Sequence, residues 1–194
     1  MNRNMEILRT MEAERLPILP FELEFAKRAF QAQIMRQSEL GRRLGEAMSQ
    51  TSETWHDNAA ADAVTSDSAA LTESANYIGR IIHESDVFPY EVETDEGVTL
   101  GSLVGVRFGA SQDVSYLYIT GSTRELSDEI KSELPKVEDI AVATIFSPIG
   151  RALLGVKAGE VAQFEAPNNG RTIEIHVDTL QQVILPTHSA EPTA

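Results

Sequence analysis

Two long proline-free stretches joined by a short polar segment constrain the fold of this chain more than any other feature. Residues 22–50 (ELEFAKRAFQAQIMRQSELGRRLGEAMSQ) lack proline and are rich in Glu, Ala, Leu, Arg and Gln. Leu23, Ala26, Phe30, Leu40, Leu44 and Ala47 recur on a/d-like spacing, with Gln33 and Gln37 softening the middle. Pro17 and Pro20 fit a boundary just before this helix. A second helical stretch runs from about Asn58 to Ser85, where Val64, Leu71 and Ile78 are spaced by seven and Tyr77 with Ile81 or Ile82 strengthens the end. Neither stretch is apolar all round, so each must bury one stripe, and its sequence neighbour is the nearest partner. An antiparallel helical hairpin follows; two amphipathic helices of an ordinary bundle fit the same periodicity.

The connecting segment TSETWHDN (Thr51–Asn58) is short and polar, and Thr51, Ser52, Asp57 and Asn58 favour turns and helix caps. A helix of this length extends ~40 Å at ~1.5 Å per residue, which places an acidic turn at the end of a long arm. Glu53 and Asp57, reinforced by Asp62, supply the hard oxygen donors that suit Mg²⁺. The plainer alternative is a solvated turn in which Asp57 or Asn58 caps the second helix.

After Asp86 the texture changes to short β-type runs broken by glycine: 87–92, 99–108, 114–119, 140–146, 161–166 and 172–180. Asn168-Asn169-Gly170 between the last two is a hairpin signal, because Asn and Gly tolerate positive φ. Residues 125–134 form one short helix or loop insert. The predicted class is therefore α+β: a helical hairpin over 1–86, a compact and mostly antiparallel β-rich domain over 87–186, and a frayed tail over 187–194.

Composition narrows the chemistry. The 194 residues contain no cysteine, which excludes disulfides, thiolate metal sites and cysteine nucleophiles. The net charge of −14 is uneven: 8 Lys+Arg against 7 Asp+Glu over 1–50, 1 against 6 over 51–85, and 7 against 17 over 86–194. Sequence-specific DNA binding and generic RNA binding draw on clustered cations, so the balance points instead to a protein partner or a divalent cation. No apolar run approaches the ~18 residues of a membrane span, and the N-terminus lacks the apolar core of a signal peptide. A cytoplasmic protein without membrane contact is the expectation.

Enzymatic signals are poor. His56, His83, His176 and His188 form no HxxxH or HxH pair, and His176 reads as a surface or edge histidine. There is no Walker loop, no GxGxxG and no nucleophile elbow; Gly97, Gly101 and Gly105 read as turns. Tyr90, Phe108, Tyr116 and Tyr118 suggest either a prolyl pocket or, more simply, core. Ser147–Gly155 (SPIGRALLG) reads as a strand–loop–strand connector in which Pro148 and Gly150 force a turn, with Ile149 and Arg151 outermost.

That motif, followed by VKAGEVAQFEAPNNGRTIEIHV (Val156–Val177), resembles the C-terminal signature of the bacterial Gre family of transcript cleavage factors. Residues 87–108 and 140–185 fit it, the helical stretches fit its coiled coil, and ANYIGRII (Ala75–Ile82) resembles the end of its second helix. The resemblance implies an N-terminal antiparallel coiled coil and a C-terminal FKBP-like domain that isomerises no prolines. It implies an accessory factor rather than an enzyme, docking on RNA polymerase at the rim of the secondary channel. Ser147, Pro148, Ile149 and Arg151 would contribute to that docking. Glu53 and Asp57 at the hairpin tip would help hold a Mg²⁺ shared with the polymerase and position water near the transcript 3′ end.

The tip departs from the family's pattern. The usual G-D-L-S-E-N-A-E-Y reads here as S-E-T-W-H-D-N-A-A, so Asp57-Asn58-Ala59 matches Glu-Asn-Ala and Glu53 aligns with the family's Asp only through a gap. The segment from Asp57 to Gly79-Arg80 is also longer than the family's by about two helical turns, and Trp55 and His56 have no counterpart. A non-cleaving channel regulator of the same architecture is therefore the second reading, and an FKBP-like isomerase or chaperone with a helical dimerisation arm the third.

Overall fold

The structure is a computed structural model that describes residues 15–50, 59–88, 97–137, 139–183 and 185, with the side chains of 47–50, 59–64 and 129 left aside. The chain divides into two compact units: residues 24–84, and the segment up to Leu23 together with the chain from Ser85 onward. The second unit takes in residues 15–23, which the sequence reading assigned to the arm.

Residues 24–84 form the hairpin. Helix α1 spans Pro20–Gln50 and α2 spans Ala59–Glu84. Their pairing is antiparallel: the Phe30 ring fills the space beside Gly79, Gln33 Nε2 donates to Ser74 Oγ (3.2 Å) and Gln37 Nε2 donates to Thr72 Oγ1 (3.0 Å). The two glutamines that interrupt the apolar stripe thus bridge the helices through hydrogen bonds. Ala26 and Ala75 are buried, while Leu40, Leu44, Leu71 and Ile78 are half-buried. The outer surface carries ion pairs one turn apart, including Glu24–Lys27, Glu39 with Arg42 and Arg43, and Arg80–Glu84. Exposed pairs of this kind add little individually, so the hairpin rests on its stripe.

The other unit is built on a five-stranded sheet of order β5-β4-β3-β7-β6. Its strands are β3 Ser102–Phe108, β4 Ser115–Thr120, β5 Ile140–Thr144, β6 Val161–Glu165 and β7 Thr172–Gln182. Beside it, β1 (Leu16–Ile18) pairs in parallel with β2 (Ser85–Val87). Short helices α3 (Asp128–Glu133) and α4 (Pro148–Leu153) lie in the connections. The β6–β7 hairpin turns as Asn168-Asn169-Gly170 predicts, with Gly170 at φ 65°.

The five-stranded sheet is mostly antiparallel, as expected, and its parallel pair, β4 with β5, follows from the long connection through α3, which allows the chain to return in the same direction. Two sequence expectations need correction. Strand β7 lies between β3 and β6, so His176 is half-buried on an interior strand rather than at an edge. Gly97 and Gly105 serve close packing: an added Cβ would come within 2.2 Å of the Gly155 carbonyl oxygen and 2.4 Å of Thr179 Oγ1 respectively.

Tyr118, Ile119, Leu100, Ile145, Leu153 and Ile175 are fully buried in one core, and Phe108 and Tyr116 pack against it. Each fully buried side chain of this size contributes ~1.5–3 kcal/mol. Tyr118 donates its hydroxyl to the Val183 carbonyl (3.1 Å), and its ring lies tilted 6.4 Å from that of Phe21. Burial, followed by the nearby Glu22 carboxylate, pushes the Tyr118 phenol well above its ordinary range.

Candidate functional site

The Ser147–Gly155 segment is a capped helical turn, not the plain loop its proline and glycine suggested. A residue before proline avoids the α region, and Ser147 sits extended at φ −73°, ψ 152°, which is N-cap geometry with Pro148 opening the helix. Ser147 Oγ accepts from Gly150 N (3.0 Å) and donates to the Thr144 carbonyl (2.7 Å), which also accepts from Ser147 N (2.9 Å). Arg151 N then donates to the Ser147 carbonyl (2.9 Å) and Leu154 N to the Gly150 carbonyl (3.1 Å). Gly150 packs on the end of β5 so closely that a Cβ would fall 2.0 Å from the Thr144 carbonyl oxygen. Gly155 leaves at φ 79° and donates to the Val98 carbonyl (2.8 Å). Each residue of Ser-Pro-x-Gly therefore has a physical task in holding this turn rigid.

The helical geometry changes which side chains face out. Leu153 is fully buried and Ile149 packs against the core, so Ile149 is not outermost as the sequence reading had it. Arg151 and Pro148 are exposed, and Arg151 makes no ion pair among the described residues. Phe146, a large apolar side chain that sequence reasoning missed, is exposed as well. It lies in the turn after β5, directly behind the fully buried Ile145.

Helix α1 ends at Gln50 and α2 starts at Ala59, so Glu53, Trp55 and Asp57 lie outside the described residues, as do Tyr90, His56, His188 and the tail from 187. Asp62 falls within α2, with its side chain among those left aside. Among the described residues no group of three His, Asp or Glu gathers in a way that suits a metal ion. The same residues contain no helix long and apolar enough to cross a membrane.

Two polar constellations escaped the sequence reading. Glu22, only 2% exposed, accepts backbone N–H groups from Leu19 (2.7 Å) and Gly121 (2.9 Å) on Oε2, and from Ser122 (2.8 Å) and Thr123 (2.7 Å) on Oε1. Its contact with Leu19 is the local half of a capping box, for which Pro20 at the first helical position and Glu at the third were the available signal. Arg107 grips Asp178 across β3 and β7 with two hydrogen bonds of 2.6 and 2.7 Å, which hold the Asp178 carboxyl below its ordinary range. Both bonds lie beside the irregularity between Gly105 and Val106, where the β3–β7 register shifts.

Compared with known proteins, the chain matches no family model and no curated protein. Among solved structures it is similar to GreA factor homolog 1 of Thermus thermophilus, with 18% identity and a TM-score of 0.37 over 86% of this chain and 99% of that one. The Thermus aquaticus homolog gives 19% and 0.36 over 87% and 99%. A GreA/GreB transcription elongation factor from Nitrosomonas europaea gives 19% and 0.32 over 58% and 86%.

Proposed function

We propose that this chain is an accessory transcription elongation factor that binds RNA polymerase, reaches into its secondary channel with the helical hairpin, and stimulates cleavage of backtracked transcripts by the polymerase. The observation that carries the reading is the Ser147–Gly155 turn, whose Ser, Pro and Gly each hold an exposed cation on a rigid, core-backed scaffold. An antiparallel hairpin in the same chain supplies the reaching element. Glu53 and Asp57, in the segment between its two helices, would complete the coordination of a Mg²⁺ shared with the polymerase. The polymerase would hold the tight metal; the tip would add oxygen donors to the weak one and orient the attacking water. Such a factor needs no complete active site of its own. We read the β-rich unit as FKBP-like and the protein as cytoplasmic.

The altered tip sequence favours a second reading, a non-cleaving regulator that occupies the channel and slows nucleotide entry. The isomerase reading is disfavoured, because Tyr118 is fully buried with its hydroxyl engaged and Phe108 and Tyr116 pack on the same core. The deciding experiment adds the protein to stalled, backtracked polymerase complexes with Mg²⁺. Shortened transcripts support the cleavage reading, slowed nucleotide addition without shortening supports the regulator, and no effect on either refutes both.

A further inference from the structure

We propose that Asn169 is a site of spontaneous covalent modification, at which the backbone nitrogen of Gly170 displaces ammonia from the side-chain amide and water then leaves aspartate or isoaspartate in its place. The site is independent of the polymerase reading.

Asn168, Asn169 and Gly170 are exposed at the turn of the β6–β7 hairpin. Asparagine is among the chemically labile residues, and the residue after it decides how readily its amide is attacked. Gly170 carries no side chain to shield its nitrogen, and its φ of 65° suits glycine best. The groups around the reacting pair are held in place. Asn169 Oδ1 accepts the Arg171 N–H at 3.0 Å, and Gly170 N donates to the Ala166 carbonyl at 2.9 Å. Ala166 N donates to the Arg171 carbonyl at 2.8 Å, which closes the hairpin around both bonds.

These two bonds act in opposite senses. Attack places negative charge on Asn169 Oδ1, and the Arg171 N–H already aimed at that oxygen stabilises it. The Gly170 N–H must let go of the Ala166 carbonyl before hydroxide takes its proton, an opening that an exposed turn permits at low cost. The new bond from Gly170 N to Asn169 Cγ closes a succinimide ring, the Cγ–Nδ2 bond breaks, and the amide nitrogen leaves as ammonia. Water then opens the ring. Cleavage of the Cγ–N bond restores the main chain with aspartate, and cleavage at the main-chain carbonyl gives isoaspartate. In sum, amide and water become acid and ammonia, with nothing oxidised or reduced. Either product adds a negative charge to the hairpin near Glu165, whose Oε1 lies 3.3 Å from the place of a Gly170 Cβ. Aspartate keeps an acceptor for Arg171 N, whereas isoaspartate lengthens the main chain within the turn.

The test incubates the folded full chain in neutral and mildly alkaline buffer, then digests it with trypsin, which releases residues 158–171. Tandem mass spectrometry locates the amide-to-acid conversion. Conversion is expected at Asn169 and not at Asn168 over the same period, faster at higher pH, and within severalfold of the rate in a synthetic 158–171 peptide. Gly170→Ala should slow it severalfold and Asn169→Gln should abolish it, with folding checked by circular dichroism. An amide retained at Asn169 of the folded chain, whether or not the peptide converts, overturns the proposal. So does equal conversion at Asn168, or a parent-like rate in Gly170→Ala.

Discussion

The carboxylate of Glu22 accepts the backbone N–H of Gly121 at 2.9 Å, joining the first turn of α1 to the loop after β4. Three further N–H groups converge on the same carboxylate, from Leu19, Ser122 and Thr123. The arrangement leaves a buried charge fully hydrogen-bonded, and its removal strands four donors. Glu22→Ala is expected to cost about 3–5 kcal/mol, equivalent to roughly 10 °C in melting temperature for a protein of this size. Glu22→Gln should fall between, since an amide turns two donors toward donors. A thermal melt followed by circular dichroism reads both, and an Ala variant that melts with the parent would contradict the clamp.

Gly150 and Ser147 should separate packing from capping in the Ser147–Gly155 turn. Gly150→Ala drives a Cβ into the Thr144 carbonyl, so a loss of about 1–3 kcal/mol is expected. Ser147→Ala removes the acceptor for Gly150 N and should cost ~1 kcal/mol. Urea unfolding gives both values, and equal costs would argue against the close approach at Gly150.

Acid should weaken the protein partly through its paired carboxylates. Arg42 and Arg43 hold Glu39 down from 4.5 to about 2, and Arg107 lowers Asp178. A depressed folded-state pKa means that the stabilisation is present above the unfolded pKa. It fades as pH falls through the folded one, here between about 4.5 and 2 for Glu39. Glu39→Gln and Asp178→Asn should each flatten the acid limb of a stability–pH profile. Both groups lie in reach of solvent, so 1 M salt should shrink the difference. A profile unchanged by either substitution would show the pairs to be inert.

Glu53 and Asp57, in the segment between the two helices, give a test in which stability and the proposed function move apart. If Glu53 and Asp57 complete the metal site proposed above, Glu53→Gln and Asp57→Asn abolish stimulated transcript cleavage while leaving the melting temperature unchanged or slightly higher, because like charges four positions apart on one helix would repel. A helix cap behaves oppositely, since its loss costs ~1 kcal/mol. Parent-level cleavage by both variants would reduce the pair to a solvated turn.

What the sequence determined by itself is local in origin. The two helices follow from seven-residue spacing and the absence of proline, and the β6–β7 turn follows from residues that accept positive φ. The Ser-Pro-x-Gly motif carries its own cap, although reading its proline and glycine only as breakers hid the helix and so misdirected Ile149. Period-two alternation says which residues share a face but is silent on strand direction, so the parallel β4–β5 pair was decided by the tertiary structure. The same holds for Arg107 with Asp178, 71 positions apart, and for Glu22, whose loop partners lie 99 to 101 positions away. A buried carboxylate is stable only where donors from distant segments arrive together, and that convergence exists once the chain has closed around it.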